Sequence, residues 1–151
     1  MRKIIPAISW LIISLAGHAQ IEEKEIAGWE VIGKLQFGGI TKAKMQYTLS
    51  GTDTTYMLLI KDAGEQQQKK YFSIVFMGRG DTYEKLYTIL KSFFLPENKK
   101  NKKYSRAFDL GKTAVSVQHH RLIDGRAVMF YTRDGYAYWT ERDIDKLFGK
   151  R

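Results

Sequence analysis

Two Asp-Gly pairs, Asp124-Gly125 and Asp134-Gly135, stand between three runs rich in Val, Phe, Tyr and Trp within residues 113–140, TAVSVQHHRLIDGRAVMFYTRDGYAYWT. Asp-Gly flanked by such runs is the strongest short-range hairpin signal, because its turn needs positive φ, which costs Gly nothing and Asp little. The stretch therefore predicts a three-stranded antiparallel meander around which the C-terminal half packs. With both pairs as two-residue loops, Arg126 faces Ile123 and Tyr136 faces Arg133. One face then collects Val115, Val117, His119, Ile123, Val128, Phe130, Ala137 and Trp139 as core, with Arg121 and Arg126 close enough to the first turn to reach water. The other collects Ser116, Gln118, His120, Met129, Tyr131, Arg133, Tyr136 and Tyr138, a wet face. A bulge would shift a strand by one residue and exchange the two faces.

Upstream, the chain reads as four more strands. Residues 29–37 alternate, with Trp29, Val31, Leu35 and Phe37 expected inward and Gly33 at a bulge or a close approach. Residues 42–49 alternate cleanly, Ala43, Met45, Tyr47 and Leu49 against Lys42, Lys44, Gln46 and Thr48. TTYMLLIK at 54–61 is nearly continuous apolar and reads as a central strand covered on both faces. YFSIVFM at 71–77 is the fourth. Connections this short allow no crossover helix, so the four form an antiparallel meander.

Two helices follow the strands. Asp81 reads as an N-cap with Glu84 at N3, and Leu86, Ile89, Leu90, Phe93 and Phe94 recur at helical spacing until Pro96 ends the run, giving a helix over about 82–94. Thr140 with an acidic first turn begins a short terminal helix that Gly149 closes. SRAFDL at 105–110 is a candidate short strand, and ENKKNKK at 97–103 the least ordered loop. Strands then helix, twice over, mean α+β: an antiparallel sheet of about six or seven strands, one longer helix on it and a short C-terminal helix. No residue-level repeat accompanies that order.

The N-terminus bears on location. Arg2-Lys3, an apolar run at residues 4–16 and Gly17-His18-Ala19 have the form of a signal peptide cut between Ala19 and Gln20. An uncleaved anchor or a buried strand is the alternative, but the run is short for a membrane span and polar sequence follows at once. The expectation is residues 1–19 removed and residues 20–151 as one globular domain in the periplasm or outside the cell. Loss of Arg2 and Lys3 lowers the formal charge from +9 to +7. That charge suits anionic partners as well as plain solubility. The chain has no Cys, so its stability needs no disulfide and a core must suffice.

Chemistry is thin. His119 and His120 are adjacent on a strand and point to opposite faces, so they cannot share a metal. There is no G-x-S-x-G elbow, and Gly111-Lys112-Thr113 lacks the first phosphate-loop glycine, whose place Arg106 takes. Gly78-Arg79-Gly80-Asp81 turns the chain with Asp81 filling any anion position itself. No metal or cofactor is implied and no enzyme is expected, although a hydrolase with a spatially assembled site stays open. The expected function is binding: a glycan, peptide or protein held on the Tyr-rich face by Tyr131, Tyr136, Tyr138, Arg133, His120 and Gln118. Lys99, Lys100, Lys102 and Lys103 are candidate anion contacts, since screening leaves such a loop a reach of about 8–10 Å. The alternative is a basic protein held to anionic envelope components without a pocket; a nucleic-acid partner fits no recognised module.

Overall fold

The computed structural model describes residues 28–64 and 70–151. The proposed signal peptide and its cleavage point lie outside the described residues. Among the described residues there are eight strands and two α-helices: β1 (Glu30–Phe37), β2 (Ile40–Ser50), β3 (Asp53–Lys61), β4 (Tyr71–Met77), α1 (Thr82–Ser92), β5 (Ser105–Leu110), β6 (Thr113–Leu122), β7 (Gly125–Thr132), β8 (Gly135–Thr140) and α2 (Glu141–Leu147). They build two four-stranded antiparallel sheets, β1-β2-β3-β4 and β5-β6-β7-β8. The α+β class holds, but one sheet of six or seven strands becomes two sheets of four. Ser105–Leu110 is a full strand because the Gly111-Lys112 turn folds it back on β6, from Leu110↔Thr113 to Ser105↔Gln118.

The inner faces of both sheets and the apolar stripes of both helices share one core cluster. Leu58, Ile60, Ile74 and Phe76 come from the first sheet, Val117, Val128, Phe130 and Trp139 from the second. Leu86 and Leu90 of α1 and Ile144 and Leu147 of α2 complete it. Fully burying each such side chain stabilises the fold by roughly 1.5–3 kcal/mol, more than any cap or surface pair supplies.

Two connections bind the sheets together. The Asp62 carboxylate accepts the Tyr136 amide of edge strand β8 at 3.1 Å, and the Ala63 amide donates to the Tyr136 carbonyl at 2.8 Å. At the other side α2 packs on β1. Its start carries the N-cap that Thr140 suggested, closed into a full capping box, with Thr140 N to Asp143 Oδ2 at 2.9 Å and Asp143 N to Thr140 Oγ1 at 3.2 Å. Its end closes on Gly149 at φ 63, with Gly149 N bonded to Lys146 O and Lys150 N to Asp145 O.

Local expectations failed where register or backbone hand changed. A bulge between Val31 and Gly33 and a second irregularity between Leu35 and Gln36 leave only Leu35 of the expected inward set fully buried, with Val31 and Phe37 exposed. β3 is central but covered on one face: Leu58 and Ile60 are buried, while Met57 and Leu59 are half-exposed. Asp81 sits in the left-handed region at φ 57 and makes no cap bond with its side chain. The reach from Asp81 to the helix amides is lost once the preceding 3-10 turn at Arg79–Asp81 hands over directly to α1.

Candidate functional site

Both Asp-Gly turns are centred one residue earlier than the sequence suggested. The loop pairs are Ile123-Asp124 and Arg133-Asp134, and each glycine already pairs, Gly125 with Leu122 and Gly135 with Thr132. Arg126 therefore faces Arg121, not Ile123, and Tyr136 faces Tyr131, not Arg133. Moving a turn centre by one residue changes each pairing by two, so no strand residue changes face. The predicted wet face is the outer face of the second sheet, and only Ile123 left the predicted core, ending fully exposed at the hairpin tip.

β6 outruns its neighbour. Pairing with β5 ends at Gln118, so residues 119–122 keep β7 on one side and, among the described residues, have no strand on the other. The loop from α1 to β5 crosses this gap. It is tied down and not loose: Asn98 N and Lys99 N both donate to Leu95 O, at 3.1 and 2.9 Å, and Asn98 Nδ2 donates to Ser92 O at 2.9 Å. The β6–β7 hairpin grips it through Arg126 Nη1 to Lys99 O at 2.8 Å and a 3.1 Å bond between His119 Nε2 and Asn98 O.

Between loop and hairpin lies a cleft of about 820 Å³. The loop contributes Lys99, Lys100 and Lys102, the hairpin Arg121 and Arg126, and both histidines border it. Among the described residues no carboxylate lines it; Asp124 and Glu141 line an adjoining depression that shares Lys99, Gly125 and Arg126 with the cleft. Among the described residues none of these five cations takes part in an ion pair, whereas Lys91, Lys150, Arg79 and Arg151 all do. Unpaired like charges kept together are an electrostatic strain that an anion relieves. Lys103 stands outside the lining. Arg121, Arg126 and His119 were not among the expected anion contacts; their sequence signal is that they flank a turn that folds back toward a lysine-rich loop.

The Tyr-rich face is a ladder in place of a basin. His120 stacks on Tyr138 at 4.0 Å between ring centroids and 25° between planes, and Tyr138 meets Tyr136 edge-on at 5.5 Å. The small Ala127, paired with His120 on one side and Thr140 on the other, is fully buried beneath this row. Burial and then the Tyr136 hydroxyl push the Tyr138 phenol above its ordinary value. Gln118 lies in the same cross-strand row as Met129 and Tyr138. Tyr131 and Arg133 stand at the opposite end, beside a second depression of about 840 Å³ shared with Lys112 and Asp134. Tyr136 is half-covered by the Asp62–Gly64 crossing, where a Cβ on Gly64 would lie 3.1 Å from its ring. Five of the six expected contacts thus share a face, with His120 in the cleft and Tyr131 in the other hollow, while Arg133 has moved into the β7–β8 loop and lines that hollow from there.

His119 rests edge-on against Phe93 at 5.1 Å, and among the described residues neither histidine bonds a carboxylate or a hydroxyl. Among those residues, too, no three His, Asp or Glu side chains gather closely enough to hold a metal ion. Compared with protein-family models, with curated proteins and with solved structures, the chain matches none.

Proposed function

We propose that this is an exported, non-enzymatic binding protein whose partner is anionic and is held at the cationic cleft of the second sheet. One observation carries the reading: five Lys and Arg side chains from two separate segments line one cleft with no carboxylate of the described residues among them. His120 belongs both to that cleft and to the aromatic ladder, so a ligand in the cleft has a stacking surface running away from it. Phosphate and carboxylate groups are the matching chemistry.

Replacing Lys99, Lys100 and Lys102 together by Gln is expected to weaken binding of inorganic polyphosphate about 10–100-fold, at ~0.5–1 kcal/mol per cation. The affinity of the native protein should fall steeply with salt. Isothermal titration at two ionic strengths measures both. The control is Lys34→Gln with Lys42→Gln and Lys85→Gln, three exposed cations elsewhere with the same change in net charge. Equal losses in the two triple variants would reduce the cleft to mere net charge.

Half-exposed Tyr131 beside Arg133 favours a second reading, in which a glycan or peptide stacks on the Tyr-rich face. Tyr131→Ala is then expected to lower affinity for a bound oligosaccharide about tenfold, while stability changes by no more than ~1 kcal/mol, the range of a cross-strand pair. Unchanged affinity across a panel of soluble oligosaccharides would end that reading.

A further inference from the structure

We propose that the anionic partner is the surface of a phospholipid bilayer, and that Ile123 is the point of insertion. The inference rests on the anion-binding reading above and adds the partner's identity. Ile123 occupies the first loop position of the β6–β7 turn, contributes nothing to the core and is fully exposed. A lone apolar side chain on a surface is ordinary. This one is set apart by its surroundings. It lines the same cleft as Lys99, Lys100, Lys102, Arg121 and Arg126, next to half-buried Leu122.

An apolar tip with cations on its cleft side, and the single carboxylate of Asp124 next to it in the turn, matches the layering of an anionic membrane interface. The tip enters the acyl boundary while the cations stay level with the phosphates. A soluble polyanion would satisfy the cations but gain nothing from Ile123. A protein partner of ordinary affinity would need roughly 800 Å² on each side, far beyond one isoleucine and its neighbour. Attachment of this kind is peripheral, and among the described residues no helix is long and apolar enough to cross a membrane. Each cation near such a surface strengthens partition about fivefold, so several together give reversible, salt-sensitive binding.

Vesicle sedimentation tests the idea. Vesicles of phosphatidylglycerol with phosphatidylcholine are compared with phosphatidylcholine alone, and inorganic polyphosphate serves as the soluble anion. The expected mature chain, residues 20–151, is used throughout, so that the apolar run at residues 4–16 does not itself partition into the vesicles. Wild type is expected on the phosphatidylglycerol vesicles only. Ile123→Ser should lower that partition about fivefold and leave polyphosphate affinity and melting temperature unchanged. The Lys99, Lys100 and Lys102 to Gln variant should lose both. Polyphosphate binding without vesicle binding, or an Ile123→Ser protein equal to wild type on vesicles, overturns the membrane inference and leaves the anion-binding reading standing. Binding to neither probe overturns both.

Discussion

Gly33→Ala is expected to destabilise the fold by about 3 kcal/mol or more, at the upper end of what one added methyl costs in a packed site. Gly33 is buried in β1 beside its bulge, where α2 meets the strand. A Cβ there would overlap the backbone carbonyl oxygens of Lys146 and Leu147. Backbone cannot rotate away as a side chain can, so the end of α2 would have to lift off β1. Leu147 and Phe148, both buried, would lift with it, and so would the bond from the Tyr83 hydroxyl to the Phe148 carbonyl at 2.8 Å. Gly39→Ala is the comparison. That residue has φ 78 and nothing within 4 Å of the added carbon, so it bears only the left-handed backbone penalty of ~1 kcal/mol. Urea denaturation of both variants measures the difference. A Gly33→Ala protein no less stable than Gly39→Ala would mean that α2 does not bear on β1 this closely.

Asp145→Asn is expected to remove about 2 kcal/mol at neutral pH and to flatten the acid side of the stability curve. Asp145 is buried and polar, at the junction of both helices. It accepts Lys91 Nζ at 2.9 Å and the Tyr87 hydroxyl at 2.8 Å, and Arg151 Nε lies 3.3 Å away. Burial alone would push its carboxyl up. The bonds from Lys91 and Tyr87 and the charges of Lys91 and Arg151 outweigh that and hold it below the ordinary value. The folded protein therefore binds that proton less readily than the unfolded chain does. The stabilisation is complete above about pH 5 and disappears as pH falls through the depressed value. Lys91 shows the opposite sign: burial would lower it, yet the bonds to Glu141 and Asp145 raise it, so its share is lost only at alkaline pH. An amide at position 145 leaves Lys91 with Glu141, at 2.7 Å, as its one ion pair among the described residues. Denaturant midpoints from pH 3 to 8 decide the matter. Equal slopes for the two proteins on the acid side would show that Asp145 does not govern it.

The second sheet was legible because its signals are local. Alternation placed Val115, Val117, Val128, Phe130, Ala137 and Trp139 inward, and that survived a turn centred one residue away because pairings change in steps of two. The first strand was less legible. Its bulge at Val31 and Gly33 answers to the end of α2, more than a hundred residues along the chain, and no local pattern encodes that approach. Asp81 misled for a similar reason, since its capping residue type was right and its backbone hand was set by the preceding turn. The split into two sheets lay beyond alternation altogether, because periodicity tells which way a side chain faces and not which strand lies beside it. The cleft combined both limits: the lysine run was visible, but Arg121 and Arg126 reach it through a hairpin whose direction the sequence did not show.

The short reach of β5 has a consequence for association. Along residues 119–122 the border of β6 is crossed by the α1–β5 loop instead of a paired strand, and a border without ladder partners is where a second chain would add and begin an aggregate if that loop gave way. Charged side chains, lysine above all, are the usual guard against such joining. Here Arg121 and Arg126 stand on the hairpin and Lys99, Lys100 and Lys102 across from it, so two copies meeting border to border would bring like charges together. The cations proposed to draw an anion to the cleft would thus also oppose association of the molecule with its own kind.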